Sequence, residues 1–124
     1  MINLEITPPT LRHLYKQTHS GRYPIIVDIK RIGCSGWAYN IFPADRDIDL
    51  SNMDENDHYL EYIVDLDDGS EYNYRIMTVY VLERAGAVMD GATIDYVKDG
   101  LEKKIHVTNP NVKAHCGCGE SFAL

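Results

Sequence analysis

Apolar and polar residues alternate in several short runs of this chain, and such alternation is typical of β-strands with one buried face. In the first run, Ile25, Val27 and Ile29 form the apolar face predicted to be buried. Turn-forming residues, such as those of segment 67–70, separate several of these runs. The strands predicted from this pattern comprise residues 25–30, 37–41, 59–66, 71–82, 92–97 and 103–108.

Two segments have helical rather than strand-like patterns. Thr7 followed by Pro8 is typical of a helix N-terminus, and apolar residues then recur at helical spacing, which predicts a helix over residues 8–20 with Gly21 as its stop. A second short helix is predicted over 83–89. The sequence therefore predicts a mainly β protein with one or two short helices. With 124 residues, the chain is expected to form one domain spanning residues 1–124.

Charge and hydropathy exclude several classes of partner. The formal net charge is −7, with 12 scattered basic residues, so neither nucleic acid nor a membrane surface is an expected partner. No apolar run approaches the ~20 residues of a membrane helix, and the N-terminal residues lack the features of a secretory signal. We therefore expect a cytoplasmic location.

The chain has three cysteines, and two of them form the motif Cys116-Gly117-Cys118-Gly119. Two thiols at this spacing on a regular strand would point to opposite faces, so they share one site only if the backbone turns between them, which glycine permits. The third, Cys34, also has glycines close by. On its own, the motif is compatible with a metal site, a redox couple or chance.

Three blocks of sequence together resemble one known family. They are 33–39 around Cys34, the segment 89–101, and 109–122 around Cys116 and Cys118. Each resembles the corresponding block of the A-type iron–sulfur cluster carriers, the IscA/HesB-like proteins. The resemblance covers roughly residues 4–42 and 79–122.

The resemblance implies a compact HesB-like β-sandwich or pseudo-barrel. It also implies that Cys34, Cys116 and Cys118 bind iron or a [2Fe–2S] cluster, with [4Fe–4S] a further form of the cargo. Such a protein would receive a cluster from scaffold donors and deliver it to apoproteins, so we expect a carrier and no enzyme. The alternative function is a thiol redox or protein-interaction module built on the same fold.

The number of thiols bears on assembly. A cysteine-held cluster normally takes four thiolates, and one chain offers three, so we expect a homodimer or a higher homo-oligomer. The fourth ligand could instead be Glu120, Tyr39, glutathione or a thiol of the recipient. His115 beside Cys116 leaves a zinc site as a minor alternative.

The segment between the family-like blocks is longer than the family usually has. Its acidic part, residues 44–58, begins like a calcium loop but lacks the required glycine and glutamate. Residues 59–78 are predicted to form an inserted surface β-hairpin that affects partner recognition and not cluster chemistry.

Overall fold

The computed structural model describes residues 2–18, 23–32, 36–44, 57–66, 74–99, 102–112, 114–115 and 121–123. These residues form strands and two helices, which confirms the prediction of a mainly β protein. The elements in chain order are β1 (Glu5–Ile6), α1 (Pro8–Lys16), β2 (Ile25–Ile32), β3 (Gly36–Pro43), β4 (His58–Asp65), β5 (Tyr74–Val81), α2 (Glu83–Met89), β6 (Thr93–Asp99), β7 (Glu102–Thr108), β8 (Ala114–His115) and β9 (Ser121–Ala123).

The strands form two sheets. The smaller sheet has the order β1-β6-β7 and the larger has the order β4-β5-β2-β3-β9-β8, so neither closes into a barrel within the described residues. Buried side chains from both sheets and both helices belong to one apolar cluster. The two helices of the described ranges have nine and seven residues, too few to span a membrane.

Helix α1 begins as predicted and ends earlier than predicted. Thr7 occupies the N-cap position, but its hydroxyl donates to Asp95 of β6 (2.7 Å) instead of capping a helix N–H. The helix ends at Lys16, because the Thr18 hydroxyl and N–H both bind the Tyr15 carbonyl and close the last turn. The predicted stop at Gly21 lies outside the described residues.

Strand β2 departs from the predicted alternation. Its first five residues, 25–29, are all buried and its last three are exposed, so the prediction of one buried face was wrong. The reason is that α2 packs on the second face. Arg84 of α2 forms a bidentate ion pair with Asp28, whose exposure is only 4%.

The predicted hairpin is present as β4 paired antiparallel with β5, and its turn, residues 67–70, lies outside the described residues. One of its faces also contributes to the core. Strand β5 also pairs in parallel with β2 from Val79 to Val81, and Val64, Met77 and Val79 are almost completely buried. The hairpin is thus a surface element with one face exposed and the other packed in the core.

The hairpin base also contacts α2. A Cβ atom placed on Gly86 would lie 2.6 Å from Nε2 of His58. The glycine therefore leaves room for the imidazole against this position of the helix. Strands β6 and β7 lie where strands were predicted, over 92–97 and 103–108, but β6 extends to Asp99 and β7 begins at Glu102. The two strands pair antiparallel.

Tyr62 links the hairpin to the N-terminal segment, and its hydroxyl donates to the Leu4 carbonyl at 2.6 Å. Burial raises the pKa of Tyr62 to about 12, from an ordinary value of 10.0. The pKa of Tyr62 is higher in the folded state than in the unfolded state. Its contribution to the free energy of unfolding is therefore complete below pH ~10 and is lost as the pH rises towards ~12. Between pH 8 and pH 11, we expect the free energy of unfolding of the wild type to fall by about 1 kcal/mol more than that of Tyr62→Phe. This value allows for the partial exposure of the Tyr62 side chain.

Urea unfolding at both pH values measures this difference. The other tyrosines are common to both proteins, so their ionisation cancels in the comparison. A stability difference that stays constant over this pH range would contradict the prediction.

Candidate functional site

The predicted ligands Cys34, Cys116 and Cys118, and the alternative ligand Glu120, lie outside the described residues. The structure does describe the strands that flank them. Cys34 belongs to the connection between Ile32 of β2 and Gly36 of β3. Cys116 and Cys118 belong to the connection between β8 and β9.

The β2–β3 hairpin requires glycine at the residue that follows the Cys34 segment. Ile32 and Gly36 are register partners, and a Cβ atom on Gly36 would lie 2.9 Å from the Ile32 carbonyl oxygen. Any larger residue would have to push the two strands apart. The glycine near Cys34 therefore keeps the strand ends close together on either side of this thiol.

Strand β9 brings the flank of the second cysteine segment to the same part of β3. Trp37 is the register partner of Phe122, and Ala38 is the partner of Ser121. Phe122 is in turn the partner of His115 in β8. The described ends of the two cysteine-bearing segments thus lie on neighbouring strands, within two residues of each other along β3.

Tyr39, another alternative ligand, packs against the core cluster and is half-buried. Burial raises the pKa of Tyr39 above its usual range, and a side-chain hydrogen bond with Asn109 lowers it in part. Because iron would bind the deprotonated phenolate, a raised pKa disfavours Tyr39 as a ligand. These surroundings favour a packing role.

The turn 109–111 anchors the C-terminal segment to α2. The side-chain amides of Asn109 and Asn111 both donate to the Val88 carbonyl, at 2.7 and 2.9 Å. Asn111 also donates to the Asp90 carbonyl, so the two amides cap the end of the helix. The sequence predicted only a turn here. The two asparagines in Asn-Pro-Asn were the available signal for a cap.

Asn109 is 5% exposed, whereas Asn111 is exposed. We expect Asn109→Ala to lower the free energy of unfolding by about 2 kcal/mol, because the Val88 carbonyl and the Asn111 N–H each lose a partner. Asn111→Ala is the matched control, and we expect it to cost about 1 kcal/mol or less. Urea unfolding of both variants measures the difference. Equal losses would contradict the proposed anchor.

A cleft of about 420 Å³ lies beside this region, between the larger sheet and β7. Its lining includes Lys30, Lys104 and the ring of Tyr39. Nearby, the guanidinium of Arg31 lies 5.9 Å from the centre of the Trp37 ring. Three basic residues, Lys30, Arg31 and Lys104, therefore lie close to this part of β3, although the chain as a whole is acidic. A thiolate-bound cluster is anionic, so such surroundings favour it. Lysines scattered along strands give no sequence pattern, so these residues could not be predicted as part of the site.

No group of three or more His, Cys, Asp or Glu side chains that could hold a metal occurs within the described ranges. The cysteine segments fall outside those ranges.

Comparisons with known proteins agree with the fold. The chain superposes on a crystal structure of IscA with the [2Fe–2S] cluster, with a TM-score of 0.68, 21% identity and 98% of each chain covered. It also superposes on Escherichia coli SufA, described as involved in biosynthesis of iron–sulfur clusters, with a TM-score of 0.58 and 21% identity over 88% of this chain and 87% of that one. The fold is therefore of the IscA type.

Sequence relatives identify the family. The iron-binding protein IscA of Pectobacterium atrosepticum is 33% identical over 95 residues, which are 76% of this chain and 71% of that protein. The iron–sulfur assembly protein 1 of Schizosaccharomyces pombe is 30% identical over 123 residues, which are 97% of this chain and 55% of that protein. The chain therefore spans about half the length of the yeast relative. No family model matches the chain.

The chain belongs to the A-type iron–sulfur carrier family. This confirms the family that the cysteine blocks predicted.

Proposed function

We propose that this protein binds a [2Fe–2S] cluster through Cys34, Cys116 and Cys118 and delivers it to apoproteins during iron–sulfur cluster assembly. Mononuclear iron is the alternative cargo, with [4Fe–4S] a further form. In this proposal the cluster is cargo, and the chain catalyses no reaction. Relatives named iron-binding proteins and a structural neighbour that holds a [2Fe–2S] cluster support the choice of cargo.

The observation that carries the proposal is the pairing of β3 with β9. Cys34 is two residues from Gly36 and Cys118 is three residues from Ser121, so extended chain allows them reaches of about 7 and 10 Å. Neighbouring strands lie about 4.8 Å apart, which brings both flanks within reach of one cluster. The basic residues around β3 would favour its negative charge.

Assembly follows from the number of ligands. One chain provides three thiols and a cluster normally takes four, so we propose a homodimer or a higher homo-oligomer in the loaded state. An incomplete ligand set also suits release, because an incoming thiol of the recipient can replace a weak ligand. The partners in this proposal are scaffold donors and apoprotein recipients.

Anaerobic reconstitution with iron and sulfide tests the proposal. Mössbauer spectra of the loaded protein distinguish mononuclear iron, [2Fe–2S] and [4Fe–4S], and light scattering of the same sample gives the oligomeric state. Transfer is then followed to an apo-ferredoxin of the [2Fe–2S] type. We expect a brown dimer that yields holo-ferredoxin. A colourless protein whose thiols only cycle between dithiol and disulfide would overturn it in favour of the redox alternative.

A further inference from the structure

One face of the β4–β5 hairpin carries most of the large apolar side chains that the structure exposes. Ile63 is 70% exposed and Ile76 is 63% exposed, and these two residues are register partners. Tyr59 and Tyr74 on the same face are 51% and 53% exposed. We call this surface the outer hairpin face, defined by Tyr59, Ile63, Tyr74 and Ile76.

The register of the larger sheet explains why this face is bare. Strand β5 pairs with β2 only from Val79 to Val81, so residues 74–78 extend beyond the start of β2. The inner face of this overhang is covered, since α1 packs against β4 and both Val64 and Met77 are almost completely buried. Only one side of the overhang is therefore used by the core.

The size of the face argues for a transient contact. The exposed fractions of the four residues amount to roughly 450 Å², within the range of about 300–600 Å² for the largest apolar patch of a monomer, which is often functional. A stable interface buries about 800 Å² on each partner. The outer hairpin face thus provides about half of what a permanent dimer needs, as a brief exchange of cargo requires.

Charge argues against a second copy of this chain as the occupant. Glu61 and Asp65 alternate with the apolar residues of β4 on the same face, whereas Arg75 is paired with Val64 and belongs to the opposite face. Two such faces would bring the carboxylates of Glu61 and Asp65 close to those of the second copy, which disfavours self-association through this face. The complementary partner is apolar with basic residues around it.

We propose that the outer hairpin face docks an apolar segment of a partner protein in which Lys or Arg residues contact Glu61 and Asp65. The inference rests on the proposed function only in taking that partner to be a cluster donor or recipient. The docking face lies far from the proposed cluster site. Strand β2 starts beside the hairpin and ends at the Cys34 segment, and its eight residues span about 25 Å.

The test uses two synthetic probes, an amphipathic peptide of leucine and lysine and a matched peptide of leucine and glutamate. Binding to the full chain is measured by fluorescence anisotropy, and the contact is mapped by amide chemical shifts. We expect the basic peptide to bind with micromolar affinity, to weaken with added salt, and to shift the amides of Ile63 and Ile76. The acidic peptide should bind at least tenfold more weakly.

The double variant Ile63→Thr with Ile76→Thr keeps β-branched side chains at exposed positions, so it should fold normally and bind the basic peptide at least tenfold more weakly. Ile32→Thr, the same change at a residue 41% exposed outside this face, is the matched control and should bind like the wild type. Glu61→Lys should weaken binding of the basic peptide and strengthen binding of the acidic one.

Cluster loading of the double variant separates the two proposals. Normal loading with slower transfer to apo-ferredoxin would support docking on this face. Amide shifts confined to another surface, equal binding of both peptides, or binding unchanged in the double variant would overturn the inference and leave the proposed function intact. Self-association that the double variant abolishes would overturn it by assigning the face to a second copy.

Discussion

Serine in place of Cys34, Cys116 or Cys118 is expected to abolish or strongly weaken the visible absorption of the reconstituted protein. Each substitution removes one of the three proposed thiolates from every chain, so a dimer keeps four of its six and has none in reserve to replace a badly placed ligand. A hydroxyl is a much poorer ligand for iron in a cluster than a thiolate. Anaerobic reconstitution of the three variants beside the parent, with iron and sulfide counted per chain, measures the loss.

Ser121→Ala is the control for this series. It changes one side chain at the described flank of the Cys116–Cys118 segment and removes no thiol, so it should load like the parent. If two of the three serine variants bind iron as the parent does, the three-cysteine site is wrong.

Loading is also expected to quench most of the fluorescence of Trp37, which is the only tryptophan of the chain. Trp37 follows Cys34 by three residues and is the register partner of Phe122, so the ring lies within roughly 15 Å of a cluster held by Cys34. Such a cluster absorbs across the near-ultraviolet and visible range and accepts energy and electrons from excited indole. Emission should fall as iron and sulfide are added and recover as a chelator or acceptor removes the cluster.

The Cys34→Ser variant provides the control, because it keeps Trp37 and should lose both the colour and the quenching. Emission is corrected for absorption by the cluster itself. Fully loaded protein that fluoresces as brightly as the empty form would place the cluster away from Cys34.

Local patterns in the sequence predicted where the strands and helices lie better than they predicted what packs against them. The hairpin of β4 and β5 follows from alternation and a turn signal, both of which are local. Its place beside β2 depends on a parallel pairing between residues more than 50 positions apart, such as Ile25 and Val79. Nothing near either segment indicates that pairing, so the contribution of the hairpin to the core could not be predicted.

The same distinction applies to the polar residues. Asp28 has the position of an exposed strand residue in the sequence pattern, and only the packing of α2 supplies Arg84 to pair with it. Tyr39 could be weighed as a ligand or as a packed residue, and its contact with Asn109 became visible only when β3 and the 109–111 turn were placed together. The cysteine ligands remain a prediction, supported by the family to which the chain belongs.

The strand order has a consequence for how the protein reaches its folded state. The pairs β2–β3, β4–β5 and β6–β7 are antiparallel neighbours in sequence and can form within microseconds. The pairings of β1 with β6 and of β3 with β9 join residues about 85 positions apart and are slower, because the intervening chain must first be brought together. We therefore expect β2 and β3, which flank Cys34, to pair before β9, the strand that follows Cys116 and Cys118, joins β3. During that interval we expect the three thiols to be open to oxidation, so a reducing environment should protect the refolding chain.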